Sequence, residues 1–201
     1  MHILLTAFDT YDDWQENSSW LAMIELLREM PPTMHLTTRR YPVELSALRD
    51  KLAEDLSGEF DAILQLGQSP GACRIKLETF AINAVGDTNS VDRVLPALDE
   101  DGPEAFRTGM PVERFADRLQ EAKIPAALSY HAGTYLCNAA MYLTHAWLDE
   151  NELNIPAGFI HLPLATEQVI DCDADMPSLP RQTLARALRI VLEDLMQHGA
   201  G

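Results

Sequence analysis

Short apolar runs with the pattern of strands alternate with segments of helical spacing along this chain, and this alternation limits the fold more than any other feature. Apolar residues that recur about every second position are typical of strands, and a period of about 3.6 is typical of helices. Strand patterns occupy residues 2–8, 35–43, 60–67, 74–85, 124–130 and 157–163. Strands that alternate with helices predict one α/β domain over residues 1–201, a three-layer sandwich in which a central, mostly parallel, twisted sheet carries helices on both faces.

Between the strands, helical segments have recognisable starts or apolar stripes. Helices are predicted from Ser18 or Ser19, along the leucine stripe of 45–56, from Pro111, over 134–148, and from near Ser178. Residues 86–110 show no period and are rich in Asp, Asn, Pro and Gly. We expect them to form a long loop, which in a compact domain is usually functional or mobile.

Composition excludes several classes of partner and site. The 201 residues include 31 acidic and 15 basic side chains, a net charge of -16 that disfavours nucleic acid and anionic membranes as partners. The N-terminus lacks the pattern of a signal peptide, and no apolar run approaches the roughly 20 residues of a membrane span. Cys73, Cys137 and Cys172 are far apart without a C-x-x-C pair, which argues against a disulfide framework or a cysteine zinc site. A reducing cytoplasm is therefore the expected location.

One of these cysteines stands at the front of a helical segment. In HAGTYLCNAAMYLTHAW (residues 131–147), Cys137 follows a predicted strand and a Gly-Thr turn, so we expect it in the first turn of the helix. Unpaired backbone N–H groups and the helix dipole favour a thiolate there and could also receive an oxyanion. Because unreactive cysteines are commonly buried, the pattern alone fits either a nucleophile or a core residue.

A cysteine nucleophile needs a base and a group that orients the base. His161 lies in GFIHLP at the C-terminal end of a predicted strand, the edge where sites form in open α/β sheets. Glu78, in the alternating run LETFAIN, could fix its imidazole. The alternatives are a core histidine and a solvent-facing strand residue. His131 is a weaker rival as base, and His145 is expected to point away from the sulfur.

Several segments together resemble the pyrrolidone-carboxylate peptidases, also called type I pyroglutamyl peptidases, a family of cysteine peptidases. GTYLCNAAMY is similar to the family's cysteine segment, GFIHLPLATEQVID (158–171) to its histidine segment, and LETFAIN (77–83) to its glutamate segment. LGQSPG (66–71) resembles its Gly-Gln turn, and YPVE (41–44) its x-P-V segment. The resemblance spans nearly the whole chain, and the cysteine and histidine segments are specific in combination.

This resemblance implies an exopeptidase that removes an N-terminal pyroglutamyl (5-oxoprolyl) residue from peptides through a thiol acyl-enzyme. It implies that Cys137 is the nucleophile, His161 the general base and then acid, and Glu78 the supporting acid. It also implies a homo-oligomer, either a tetramer or a dimer, whose partners are peptides with N-terminal pyroglutamate. No cofactor and no metal are expected, since the chain contains neither H-E-x-x-H nor a Gly-rich phosphate loop.

The resemblance further implies a lactam pocket with Phe8 and Tyr11 as its aromatic residues and the backbone of the Gln68 turn close to the ring. Without the resemblance, Phe8 and Tyr11 fit ordinary packing at a strand end equally well. A pocket for a small, neutral, flat lactam needs apolar walls and a few hydrogen-bonding groups. Tyr11 adds a hydroxyl where the family usually has Phe.

Two segments depart from the family pattern. The family's double Gly is replaced by Asp12-Asp13, so we expect the loop to follow a different path. The family's D-A-R-I-P-D-N segment, whose Arg is implied to assist the oxyanion and whose Asp is a further triad candidate, is not recognisable in GDTNSVDRV (86–94). A gapless alignment puts Thr88 and Val91 at those places, whereas shifted alignments bring in Asp92 or Arg93.

These departures leave two alternatives to a pyroglutamyl peptidase. One is a related cysteine hydrolase that acts on another N-acyl or lactam substrate. The other is a catalytically weak binding protein on the same fold. The joint presence of Cys137, His161 and Glu78 argues against the binding protein.

Overall fold

The computed structural model describes residues 1–30, 34–86 and 94–199 and contains ten strands and five α-helices in those ranges. The strands are β1 (His2–Phe8), β2 (His35–Tyr41), β3 (Ala62–Gln68), β4 (Ile75–Glu78), β5 (Phe80–Ile82), β6 (Ala105–Arg107), β7 (Ala126–Ser129), β8 (Ala157–Leu162), β9 (Leu164–Ala165) and β10 (Ser178–Leu179). The helices are α1 (Ser18–Arg28), α2 (Leu45–Leu56), α3 (Val112–Glu121), α4 (Leu136–Glu150) and α5 (Arg181–His198). None of the described helices has both the length and the apolar character that a membrane crossing requires.

The central sheet has six strands in the order β2-β1-β3-β8-β4-β7. β2, β1, β3 and β8 pair in parallel, as do β4 and β7. The exception is the contact of β4 with β8, which is antiparallel. The sheet is therefore mostly parallel, as predicted, and the reversal at β4 brings the end of that strand alongside β8.

Helices cover both faces of this sheet, which confirms the predicted three-layer α/β fold. One apolar cluster packs α1, α3 and α5 against one face, and a second packs α2 and α4 against the other. Alternate residues of β1 enter the two clusters, with Ile3 and Leu5 in the first and Leu4 and Phe8 in the second. Because β1 is buried on both faces, its sequence is a nearly continuous apolar run, interrupted only by Thr6 after Leu5, rather than an alternating one.

Several predicted boundaries need correction, because hydrogen bonds outside the periodic pattern determine them. The cap of α1 is Asn17, not Ser18 or Ser19, since its Oδ1 accepts from the backbone N–H of Ser19 at 3.0 Å. The predicted strand 74–85 is interrupted at Thr79, which separates β4 from β5. The last helix begins at Arg181 rather than near Ser178, because Ser178 and Leu179 form β10 and pair with β9.

The predicted long loop 86–110 is not entirely irregular. It contains β6, which pairs antiparallel with β5. Asn83 fastens the segment before β6, since its Oδ1 accepts from Leu98 N and Asp99 N, at 2.8 and 3.0 Å, and its amide nitrogen donates to Asp99 O at 2.6 Å. Side-chain bonds from one asparagine thus order a stretch that has no periodicity of its own.

Candidate active site

Three strand ends and the start of one helix meet at one edge of the sheet. Phe8 ends β1, Gln68 ends β3, and His161 is the last but one residue of β8. In the parallel pairing of β3 with β8, Gly67 lies opposite His161. α4 begins beside them and carries Cys137 as its second residue. The sequence therefore placed Cys137 and His161 correctly, at a helix start and at the carboxyl end of a strand.

The Cys137 thiol occupies space that a side chain at position 67 would fill. A Cβ atom on Gly67 would lie 2.8 Å from Cys137 Sγ and 2.7 Å from Phe159 Cζ, closer than real Cβ contacts. Gly67 thus allows the sulfur to lie directly against β3, next to His161. Among the described residues no side chain caps the N-terminus of α4, so its first-turn N–H groups are open to a ligand.

His161 and Glu78 form a buried hydrogen-bonded pair. His161 Nδ1 lies 2.8 Å from Glu78 Oε1, and Glu78 is 0% exposed. The antiparallel register sets Lys76 opposite His161 and Glu78 opposite Phe159, so Glu78 and His161 share one face of the sheet. Because a carboxylate only accepts, Nδ1 carries the proton of this bond and Nε2 is left for the sulfur. Glu78 Oε2 has no hydrogen-bond partner within the described ranges.

The surroundings of His161 favour its protonated form. Burial lowers its pKa, but the negative charge and hydrogen bonding of Cys137 and Glu78 outweigh burial and raise the pKa from 6.5 to about 9. A protonated imidazole beside a cysteine sulfur is the partner that a thiolate nucleophile requires.

Next to this pair is a mostly apolar cavity of ≈ 190 Å³. All three residues predicted to surround a ligand line it, namely Phe8, Tyr11 and Gln68. Cys137 and His161 are at its wall, so a group bound there lies beside the sulfur. The remaining lining residues are Asn17, Val43, Ala132, Gly133, Thr134, Tyr135 and Leu136.

Asp12, in the loop that follows β1, has a φ of 50°. This is the left-handed region that glycine adopts freely and that aspartate tolerates better than most residues. Asp12 stands at one of the two positions where the family has Gly, and the loop there keeps a conformation that glycine favours. Tyr11, the residue before it, lies in the cavity wall.

Sequence reasoning missed the residues that hold the site together. Asn138 is fully buried beside Cys137, and its side chain accepts from Ile82 N and donates to Ile82 O and Ala84 O, each at 2.9 Å. Gln168 donates to the side chain of Gln68 at 2.8 Å. An asparagine in an otherwise apolar helix was the available signal for Asn138, and for Gln168 the signal was its place in the segment GFIHLPLATEQVID that resembles the family.

The remaining histidines and cysteines stay outside the site. His145 Nδ1 bonds Met141 O within α4, and burial lowers its pKa, so it is neutral and turned away as expected. His131 is exposed and accepts from Gly133 N at 3.0 Å. Cys73 and Cys172 are exposed and unpaired. Within the described ranges, no three His, Cys, Asp or Glu residues are grouped so that they could hold a metal ion.

The segment that departs from the family's D-A-R-I-P-D-N pattern was the source of candidates for the oxyanion-assisting and further triad residues. These candidates, Thr88, Val91, Asp92 and Arg93, lie outside the described residues. Gly86, just before that segment, is fastened to the cavity wall, since its N–H donates to Thr134 O at 2.8 Å and its carbonyl accepts from the Thr134 hydroxyl at 3.1 Å.

Comparison with known proteins points to one family. Residues 1–198 match the family model described as pyroglutamyl peptidase. The pyrrolidone-carboxylate peptidase of Thermococcus kodakarensis is 33% identical over 99% of this chain and 100% of its own length, and that of Bacillus subtilis is 32% identical over 98% and 93%.

Solved structures agree with these sequence matches. The pyrrolidone carboxyl peptidase of Fervidobacterium islandicum superposes with a TM-score of 0.90 at 29% identity, over 98% of this chain and 99% of that one. The pyroglutamyl peptidase I of Bacillus amyloliquefaciens gives a TM-score of 0.87 at 30% identity, over 98% and 96%. The chain belongs to the pyroglutamyl peptidase family.

Proposed function

We propose that this protein is a cysteine exopeptidase that removes an N-terminal pyroglutamyl residue from peptides. The observation that carries the proposal is the position of Cys137, beside the buried His161–Glu78 pair and at the wall of a small, mostly apolar cavity. In this proposal Cys137 is the nucleophile, His161 the general base and acid, and Glu78 the residue that orients and charges His161.

The reaction has an acylation step and a deacylation step. The Cys137 thiolate attacks the carbonyl carbon of the pyroglutamyl residue, and the oxyanion that forms is stabilised by the open N–H groups of α4. The His161 imidazolium gives its proton to the leaving amine, the C–N bond breaks, and a thioester remains. His161 then takes a proton from water, which attacks the thioester and releases pyroglutamate and the thiolate.

The cavity supports a small, neutral acyl group as substrate. A volume of ≈ 190 Å³ with largely apolar walls fits a five-membered ring better than an extended side chain. Phe8 and Tyr11 supply aromatic surface, and the Gln68 turn supplies polar groups. The Tyr11 hydroxyl favours a second candidate, a hydrolase for another N-acyl or lactam substrate.

A substrate comparison tests the proposal. Two peptides that differ only at the first residue, pyroglutamate in one and proline in the other, are incubated with the enzyme and followed by mass spectrometry. We expect loss of the first residue from the pyroglutamyl peptide alone. Removal of proline at a similar rate, or removal of neither, would contradict the proposal.

The remaining expectations concern assembly and location. We propose a homo-oligomer, a tetramer or a dimer, on the basis of the family resemblance, and sedimentation velocity tests it. We propose a cytoplasmic location because the exposed Cys73 and Cys172 are free thiols, which a reducing compartment preserves. The net charge of -16 supports the expectation that neither nucleic acid nor an anionic membrane is a partner.

A further inference from the structure

A lysine is the cross-strand neighbour of His161. Lys76 lies directly opposite His161 in the antiparallel pairing of β4 with β8. Side chains directly opposite each other on two antiparallel strands point to the same face of the sheet, and their Cβ atoms are about 4.5–5.5 Å apart. Glu78, two residues further along β4, points to that face as well and bonds His161. Lys76 is therefore next to the reacting groups and on their face of the sheet.

One contact locates the ammonium group of Lys76. Lys76 Nζ donates to Ser69 Oγ at 3.2 Å, and the backbone N–H of Ser69 donates to Leu162 O at 2.8 Å. Leu162 follows His161 and is the last residue of β8. The lysine side chain thus extends from β4 towards the end of the strand that carries His161.

Lys76 also lines an open pocket of ≈ 490 Å³ at the edge of the sheet. This β4–β7 pocket is formed by residues 70–74 of the loop after β3, by Lys76, and by residues 127–129 of the edge strand β7. Arg74 and Lys76 give its described lining two positive charges, and that lining includes no acidic residue.

The two cations have no carboxylate partner in the part of the chain that the structure describes. Other arginines of this acidic chain, such as Arg39 and Arg114, are paired with carboxylates. Lys76 is half-buried and Arg74 is exposed. An anion in the pocket is attracted by both charges, and more strongly by Lys76, because water screens that charge less.

The order of the strands gives the direction in which a bound peptide extends. Phe8 and Gln68 wall the ring cavity at the ends of β1 and β3. Cys137 lies against β3, and His161 is on β8. The next strand in the sheet is β4 with Lys76. With the acyl ring in the cavity and the leaving amine at His161, the rest of the peptide continues towards β4 and its pocket.

We propose that the β4–β7 pocket is the subsite for the leaving peptide, and that Lys76, assisted by the charge of Arg74, binds a carboxylate there. This carboxylate is the side chain of an acidic residue directly after the pyroglutamyl residue, or the terminal carboxylate of a pyroglutamyl dipeptide. The proposal rests on the proposed function, because it takes His161 to protonate the amine of a leaving peptide. It assigns substrate preference to a residue that takes no part in the chemical steps.

Binding to the inert Cys137→Ala variant tests this without turnover. Two pairs of ligands are titrated by protein-observed NMR, and the members of each pair differ in one carboxylate. Pyroglutamyl-glutamate amide against pyroglutamyl-glutamine amide reports an acidic side chain. Pyroglutamyl-alanine against pyroglutamyl-alanine amide reports a terminal carboxylate. Within a pair, the ratio of the two affinities isolates the contribution of the carboxylate.

We expect the anionic member of at least one pair to bind more tightly, and the pair that shows this identifies the source of the carboxylate. Lys76→Met should lower that ratio about 3- to 10-fold, as for a charged hydrogen bond that is partly exposed to water. Lys76→Arg keeps the charge and should keep most of the preference. Equal affinities within both pairs, or the same ratios after Lys76→Met, would overturn the proposal.

The matched control is Lys51→Met, which removes an exposed lysine of α2. It changes the net charge by the same amount and should leave both ratios unchanged. An equal fall of the ratio in Lys51→Met and Lys76→Met would show that the overall charge, and not the pocket, determines the preference, which would also overturn the proposal.

The two proposals fail in different ways. A Lys76-dependent preference for the anionic ligand, in a protein that does not cleave pyroglutamyl peptides, would support the carboxylate subsite and contradict the peptidase function. Cleavage of those peptides with affinity ratios that Lys76→Met does not change would support the function and overturn the subsite.

Discussion

At the scale of single residues, the absence of a side chain at Gly67 determines where the Cys137 sulfur lies. The Gly67→Ala variant puts a Cβ within 2.8 Å of that sulfur and 2.7 Å of Phe159, so the thiol must move. A displacement of about 1 Å lowers catalysis by roughly a hundredfold, so we expect kcat to fall by about ten- to a hundredfold.

Steady-state kinetics of Gly67→Ala and of Gly109→Ala test this. A Cβ at Gly109 meets its nearest neighbour at 3.4 Å, an ordinary contact far from the sulfur. Wild-type kcat in Gly67→Ala would show that the thiol does not depend on this space.

Glu78 helps to keep His161 protonated, and this predicts a change in the pH dependence of kcat/KM when Glu78 is replaced. In Glu78→Gln an amide oxygen can still accept from His161 Nδ1. Cys137 still raises the pKa of His161 and is the larger contributor, but the contribution of the Glu78 charge is lost. In the proposed mechanism the imidazolium donates a proton to the leaving amine, so we expect the falling limb of kcat/KM to lie near pH 9 in the wild type and at lower pH in the variant.

The control is Glu113→Gln on the exposed side of α3. If the pH profiles of kcat/KM of Glu78→Gln and the wild type superimposed, this would contradict the role given to Glu78.

The raised pKa of His161 also contributes to the free energy of unfolding. This contribution is complete below about pH 6.5 and is lost as pH rises through about 9, since the folded state then releases the proton.

At the scale of elements, α4 carries the Cys137 thiol and also holds β5 in place, because Asn138 in its first turn forms hydrogen bonds with the backbone of that strand and the residues after it. Three hydrogen bonds from one buried side chain satisfy the backbone of Ile82 and Ala84. In Asn138→Ala these groups stay buried without partners, and we expect a loss of about 2–4 kcal/mol in the free energy of unfolding.

Urea unfolding measures this loss. Asn154→Ala, at an exposed position, should change the free energy of unfolding by no more than about 0.5 kcal/mol. A loss in Asn138→Ala as small as that of the control would show that water or backbone movement replaces the three bonds.

The elements also show what periodicity can predict. β1 was predicted with its observed bounds, because seven consecutive residues carry its pattern. The cap of α1 and the break at Thr79 were missed, because both depend on which groups pair. Asn17 caps α1 because its side chain reaches Ser19, and Thr79 donates to Ser129 O from a different strand. Pairing of this kind depends on tertiary neighbours that a local pattern does not contain.

At the scale of the whole molecule, the sheet order assembles a site from residues spread between positions 8 and 161. The family resemblance identified Cys137, His161 and Glu78, but the geometry that joins them depends on β4 running antiparallel beside β8. The sequence predicted a mostly parallel sheet and contained no sign of this one reversal. The sequence therefore named candidates that the fold brings together, whereas their contacts, and the support from Gly67 and Gln168, are visible only in the fold.

The central claim is that Cys137 is the nucleophile that cleaves the pyroglutamyl amide, with His161 as its base and Glu78 as the residue that orients His161. The most direct measurement is release of aminomethylcoumarin from pyroglutamyl-aminomethylcoumarin by the reduced wild type, by Cys137→Ala, and by Cys73→Ala as the control for an exposed thiol. The account predicts turnover by the wild type and by Cys73→Ala, and a loss of at least about 10³-fold in Cys137→Ala. Undiminished turnover in folded Cys137→Ala, or none in the folded wild type, would contradict it.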